Sequence, residues 1–404
     1  MGATLLGQFF GFMALPFISR IYTPENFAFF QFFVEITGVI ALIASGKLDF
    51  GILLPKSDSA SRAILQAIII IPTLGILSTL TIIFLVNANL SQFYTTNVTY
   101  RALSILIGCA VAVELFLTVC IKYHTRKENY NSLAMANVSR NMVKPMCQIA
   151  LALEVIGMKS TGLVLGHILS NIVACIVLMN KENIGTTKIK KVTILSGVMK
   201  FKKMWKYPLV ALPSGIFSRS RQSIILGCIT QNFGLENAGY YAMAWKLLIV
   251  PLSAIEQAAV KVNTGNIATF VRKGESSYNY VVKSWKLTLL IGFTAALLLF
   301  LFGEKVIVEI LGDTWEKTAE FCILMSPIII GRFSSVPISY VFNAVNRQEL
   351  QVIFDVFLTT SALLIFSDII VNINIKQALL TYSIFAFIVY LITGIVSIKI
   401  IKYK

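Results

Sequence analysis

Acidic residues and histidines are scarce in this chain, and charge of either sign is rare. Only 13% of its 404 residues are charged, about half the ~25% usual in a soluble domain. With 56% hydrophobic residues and a mean hydropathy of +0.78, this shortage excludes a soluble globular fold. His124 and His167 are the only histidines, too few to build a metal centre, and no cofactor is expected. The six cysteines (Cys109, Cys120, Cys147, Cys175, Cys228 and Cys322) lie within or beside apolar runs, which marks packing residues and not a disulfide framework. Walker A, GxGxxG and HExxH patterns are missing, and no loop is long enough to fold as a catalytic or nucleotide-binding domain. The chain is therefore not expected to be an enzyme or to use ATP directly.

What the chain does have is a series of apolar runs, each near the ~17–25 residues that cross hydrocarbon as a helix. They fall at 2–19, 27–45, 63–86, 102–121, 132–153, 160–179, 208–229, 238–262, 284–303, 318–342, 350–371 and 377–398. The first run carries no basic n-region and no small-residue cleavage pattern, so it reads as a retained helix, and its abrupt start leaves room for residues before Met1. These runs predict an all-α integral membrane protein of about twelve transmembrane helices. Residues 181–207 form the longest hydrophilic connection, with eight Lys against the single acid Glu182. They divide an N-terminal six-helix lobe, 1–180, from a C-terminal one, 208–404.

A weak repeat supports duplication. Ile18-Ser19-Arg20-Ile21-Tyr22-Thr23-Pro24-Glu25-Asn26 with Phe29-Phe30 aligns with Ile229-Thr230-Gln231-Asn232-Phe233-Gly234-Leu235-Glu236-Asn237 with Tyr240-Tyr241, an offset of 211 residues. Six helices per repeat preserves orientation and predicts parallel lobes around a central cavity.

The basic residues sort by side. Of 35 Lys and Arg, 23 fall in the loops after even-numbered helices or at the C-terminus, six in the opposite loops, and six inside the runs. Positive charge accumulates on the cytoplasmic side, so both termini are expected there. The net charge of +16 then faces anionic membrane lipids and needs no nucleic-acid partner.

Six cations sit at membrane depth: Arg140, Lys144, Arg219, Arg221, Lys246 and Arg332. Each costs roughly 2.5–3.5 kcal/mol there unless it meets water, a counter-charge or an anionic cargo. Helical spacing aligns Arg140 and Lys144 with Asn137, Asn141 and Gln148, Arg221 with Ser214 and Ser218, Lys246 with Ser253 and Gln257, and Arg332 with Ser335, Ser339 and Asn343. Arg219 points away from Arg221 and is available to a neighbouring helix. Polar stripes also glue helices together, but Glu35, Glu114, Glu256 and Asp355 are the only acids well within the runs, too few to neutralise six cations. These four carboxylates read either as counter-ions or as a proton or sodium coupling site. The aromatic clusters Phe27, Phe29, Phe30, Phe32, Phe33 and Tyr240, Tyr241, Trp245 read mostly as interfacial anchors.

Gly7-Gln8, Leu15-Pro16-Phe17-Ile18-Ser19-Arg20-Ile21-Tyr22-Thr23-Pro24-Glu25-Asn26-Phe27 and Lys47-Leu48-Asp49-Phe50-Gly51-Ile52-Leu53-Leu54-Pro55-Lys56-Ser57 resemble the bacterial oligosaccharide flippases of the Wzx type. Tyr207-Pro208-Leu209, Leu212-Pro213-Ser214, Ala238-Gly239-Tyr240-Tyr241-Ala242 and Pro251-Leu252-Ser253 are similar to the seventh and eighth helices of that family. The resemblance covers nearly the whole chain, and its motifs are structural. It implies the multidrug/oligosaccharidyl-lipid/polysaccharide exporter superfamily and a bacterial inner-membrane location. The implied cargo is an oligosaccharide repeat unit on undecaprenyl pyrophosphate for O-antigen or capsule assembly, with a polysaccharide polymerase and a chain-length regulator as implied partners. A drug/cation antiporter of the same superfamily, which would want an acidic cavity, and a major-facilitator permease are the rival readings. A polymerase would need a large outward loop.

Overall fold

The computed structural model describes residues 2–47, 49, 52, 100–152, 161–181, 212–273, 276–335, 341–342, 347–367 and 373–402. Among them the regular structure is helical: α1 Gly2–Met13, α2 Leu15–Ile21, α3 Pro24–Ser45, α4 Tyr100–Arg126, α5 Tyr130–Ala152, α6 Gly162–Lys181, α7 Leu212–Phe233, α8 Leu235–Lys273, α9 Tyr278–Leu311, a 3-10 turn Asp313–Trp315, α10 Glu316–Leu324, α11 Ser326–Ser335, α12 Gln348–Phe366 and α13 Ile375–Lys402. Eleven of the twelve apolar runs are thus helical, and the run at 63–86 lies outside the described residues.

The departures have local causes. The first run breaks at Ala14 because Pro16, within the first two positions of α2, has no N–H to continue the ladder. The tenth breaks at Met325, just before Pro327. Pro145 and Pro251, in contrast, remain inside α5 and α8. At 39 residues α8 is roughly 58 Å long, well beyond the ~30 Å of hydrocarbon, so hydropathy marked only its embedded part. Its end carries Lys261, Arg272 and Lys273.

The repeat coincides with structure. Helix α3 opens at Pro24, whose fixed φ and missing N–H suit a first helical position, and α8 opens at Leu235 after Gly234 at φ 90°. The two starts differ by the same 211 residues as the sequence repeat.

The chain forms two compact units. The first contains Met1–Tyr22 and Phe29–Ser223, the second Thr23–Ala28 and Ile224–Lys404. The boundary falls inside α7 and not in the basic 181–207 segment expected to separate the lobes. Contacts explain it: Gly215 faces the Lys47 side chain and Arg219 reaches α4, so the first turns of α7 pack with the first unit.

In the first unit α5 packs along α6, and α1 and α4 flank them. Leu117, Cys120, Ala136, Ala174, Cys175 and Leu178 form a core of mostly small side chains, the composition that lets membrane helices approach closely. In the second unit α11 packs on α9 and α13, and α10 on α8. Trp315, fully buried, meets Phe27 and Tyr240 edge-on at 5.8 and 6.1 Å. Gly239 lies directly against the Pro24 carbonyl, where no side chain would fit.

Six described helices are long and apolar enough to span a membrane: Pro24–Ser45, Leu103–Arg126, Gly162–Asn180, Tyr278–Leu311, Glu349–Phe366 and Ile375–Ile401. Along α9, Leu290, Phe293, Leu297 and Leu301 expose large apolar side chains at helical spacing, the stripe expected to meet lipid. The six internal cations sit on α5, α7, α8 and α11, none of which is among the six apolar spans.

Candidate functional site

The first unit gathers charge from five helices. On α3, Gln31, Glu35 and Gly38 follow one another at spacings that share a face, and Gln31 Nε2 donates to Glu35 Oε1 at 2.8 Å. Arg219 of α7 donates from Nη2 to Glu114 Oε1 of α4 at 3.3 Å. Its guanidinium lies over Gly38, in space that a Cβ at that position would occupy. Arg219 is also within electrostatic reach of Glu35, and Arg140 of Glu114. One turn along α5 from Arg140, Lys144 Nζ stands 4.9 Å from the centre of the Phe30 ring. His167 of α6 meets that ring edge-on at 6.0 Å, within reach of both Lys144 and Arg140. Asn171 Nδ2 donates to His167 Nε2 at 3.4 Å.

The polar stripe of α5 is about 100° wide at 3.6 residues per turn, and its parts do different work. Asn141 donates to Asn137 at 3.0 Å and faces Gly7 of α1. Gln148, expected in a lumen, is instead buried: its side chain donates to the Leu163 carbonyl at 2.9 Å, and its own carbonyl accepts the Tyr22 hydroxyl at 2.7 Å. A buried amide between two helices satisfies backbone groups that lipid cannot, so Gln148 joins α5 to α6. On α7, Arg221 is half-buried and Ser218 exposed.

In the second unit, Arg332 forms a fork on Glu256: Nε to Oε1 at 2.9 Å and Nη2 to Oε2 at 2.7 Å, with Glu256 3% exposed. Arg332, expected as a cargo ligand, is held here by both oxygens of a buried carboxylate. Lys246 Nζ lies 4.9 Å from the centre of the Phe27 ring. Asp355 is half-buried, and Thr359 bonds its carbonyl oxygen at 2.8 Å. Gln257's side chain and Asn343 lie outside the described residues.

Phe27 and Phe30, taken for interfacial anchors, are 0% and 2% exposed and act as platforms for lysines. A ring face attracts a cation without neutralising it. Sequence reasoning also passed over Gln31, Gly38 and His167. Gln31 four residues before Glu35 was a usable signal; the Glu114–Arg219 pair, 105 residues apart, had none.

Long apolar helices that expose stripes of large hydrophobic side chains define a class: an all-α, multi-pass membrane protein. The fold is similar to an inward-facing multidrug resistance MATE family transporter of the MOP superfamily, with a TM-score of 0.73 and 16% identity over 98% of this chain and 96% of that one. It is similar as well to the lipid II flippase MurJ in an inward closed conformation, with a TM-score of 0.78 and 15% identity over 98% of this chain and 86% of that one. The family model described as polysaccharide biosynthesis protein matches residues 17–320, and the chain belongs to that family. No curated protein matches it.

Proposed function

We propose that this protein is a flippase that moves oligosaccharide repeat units, linked to undecaprenyl pyrophosphate, from the inner to the outer leaflet of the bacterial cytoplasmic membrane by alternating access. Both termini are cytoplasmic in this reading, and the product feeds O-antigen or capsule assembly. The observation that carries it is the gathering of Arg140, Lys144 and Arg219 on neighbouring helices of the first unit in a polysaccharide biosynthesis family member. A pyrophosphate cannot cross hydrocarbon unaided, and guanidinium and ammonium groups replace its lost hydration through charge-assisted hydrogen bonds. The lipid-linked cargo that MurJ's description names points the same way. Lys246 and Arg221 are further candidate ligands for the pyrophosphate or acidic sugars.

The test is leaflet-resolved labelling of lipid-linked oligosaccharide in cells with and without the protein. Without it, single repeat units should accumulate on the inner leaflet. Lys144→Ala and Arg140→Ala should reproduce that accumulation with the protein still in the membrane. Unchanged labelling in a deletion strain would refute the reading, and outer-leaflet display of single units would indicate a polymerase.

A further inference from the structure

Among the described residues, two guanidinium–carboxylate pairs lie within the apolar runs of the sequence, and they differ in kind. Arg332 and Glu256 share two hydrogen bonds of 2.9 and 2.7 Å, with their side chains 17% and 4% exposed. Arg219 and Glu114 share one of 3.3 Å, with side chains 44% and 24% exposed. A single long contact of that openness contributes little net stability, while a guanidinium carries five N–H donors, so Arg219 has donors to offer a second oxygen. Its open side cannot face acyl chains without the penalty of an unsolvated charge; it faces water or an anion.

We propose that Glu114 is an internal stand-in for the cargo's phosphate: it holds Arg219 against Gly38 when no cargo is bound, and an organic diphosphate takes the guanidinium over from it. This rests on the anionic, lipid-linked cargo proposed above. Gly38 makes the resting position possible, because any side chain there overlaps the Arg219 guanidinium. Handover leaves no stranded charge, since Arg140 lies within electrostatic reach of the same carboxylate. Glu35, held by Gln31, is a second carboxylate near Arg219 in the resting arrangement.

The test uses the full chain in phosphatidylcholine nanodiscs and farnesyl pyrophosphate as the probe. Gly38→Ala and Glu114→Gln should each tighten binding roughly tenfold, within the usual range of coupling between two linked events. Arg219→Ala should weaken it, and in that background neither of the other two changes should tighten it. Gly38→Ala carries most weight because it alters no charge. If Gly38→Ala does not accumulate as folded protein, Glu114→Gln decides alone. Wild-type protein that binds the probe while neither variant tightens it would overturn the stand-in role and leave the cargo reading intact. Wild-type protein that binds no farnesyl pyrophosphate would remove the cargo reading and this inference together. Equal competition by added phosphatidylglycerol would assign the displacing anion to bulk lipid headgroups and overturn the proposal.

Discussion

At the scale of single residues, what decides the role of a buried cation is what it touches. Arg332 and Glu256 enclose one another, and removing one partner leaves the other buried and unpaired, at about 3–5 kcal/mol. Arg332→Met and Glu256→Leu should therefore each lower Tm in detergent sharply. The double variant should recover much of the loss, because an apolar pair of similar volume is often neutral. Additive losses in that cycle would show that the pair is not an enclosed unit. Asp49 shows the reverse balance, outside the spans: it is 6% exposed and its Oδ2 is 3.9 Å from Lys122 Nζ. Burial raises its carboxyl above the ordinary value of 3.8, and the Lys122 ammonium draws it only partly back. The folded chain then holds that proton more tightly than the unfolded chain, so the penalty of ionisation is absent below 3.8 and grows as pH rises through the raised value. Asp49→Asn should match or exceed wild-type Tm at pH 7 and lose any advantage below 3.8. A clear drop in Tm at pH 7 would mean that the Lys122 pairing outweighs burial.

At the scale of helices, polar residues that look alike in sequence separate into those that bind and those that join. Gln148 lies on the same stripe as Lys144, yet it ties α5 to α6 through Leu163 and to Tyr22 ahead of α3. Space there is already filled, because a Cβ at Gly166 would come within 2.6 Å of the Gln148 side chain. Gln148→Leu and Tyr22→Phe should each destabilise the protein by about 1 kcal/mol, the net contribution of one buried hydrogen bond. Both should lower the amount in the membrane while transport per folded molecule holds, the opposite of the Lys144→Ala pattern; a loss of transport at normal levels would place Gln148 with the cargo ligands. The helices themselves were legible because an apolar window of fixed length is a one-dimensional signal. Their breaks at Ala14 and Met325 were less so, since Pro16 and Pro327 interrupt α-helices while Pro145 and Pro251 do not, and only packing distinguishes them. Glu114 and Glu256 were legible as candidate counter-ions, but which cation each holds was not: Arg219 to Glu114 and Arg332 to Glu256 span 105 and 76 residues, beyond any periodicity rule.

At the scale of the molecule, α3 and α8 open 211 residues apart, the offset of the sequence repeat, and the change from one compact unit to the other falls inside α7. The basic 181–207 segment is the compositional boundary, but α7 beyond it serves both units, 212–223 in the first and 224–233 in the second. In the first unit those turns bring Arg219 to Glu114 and Gly215 to Lys47, groups that a chain ending before Leu212 would leave without those contacts. Cutting the gene within 181–207 should thus yield an N-terminal piece that is degraded when made alone. Made together, the two pieces should restore surface polysaccharide, because the cut spares every described helix and helices assemble after insertion. A cut at Gly234 keeps α7 on the first piece and strips the second unit of turns 224–233, including the Asn232 amide that donates to the Phe366 carbonyl at 2.7 Å. Both pairs of pieces can be scored by immunoblot and by surface polysaccharide staining. An N-terminal piece that accumulates alone after the first cut would show that the start of α7 adds nothing to the first unit.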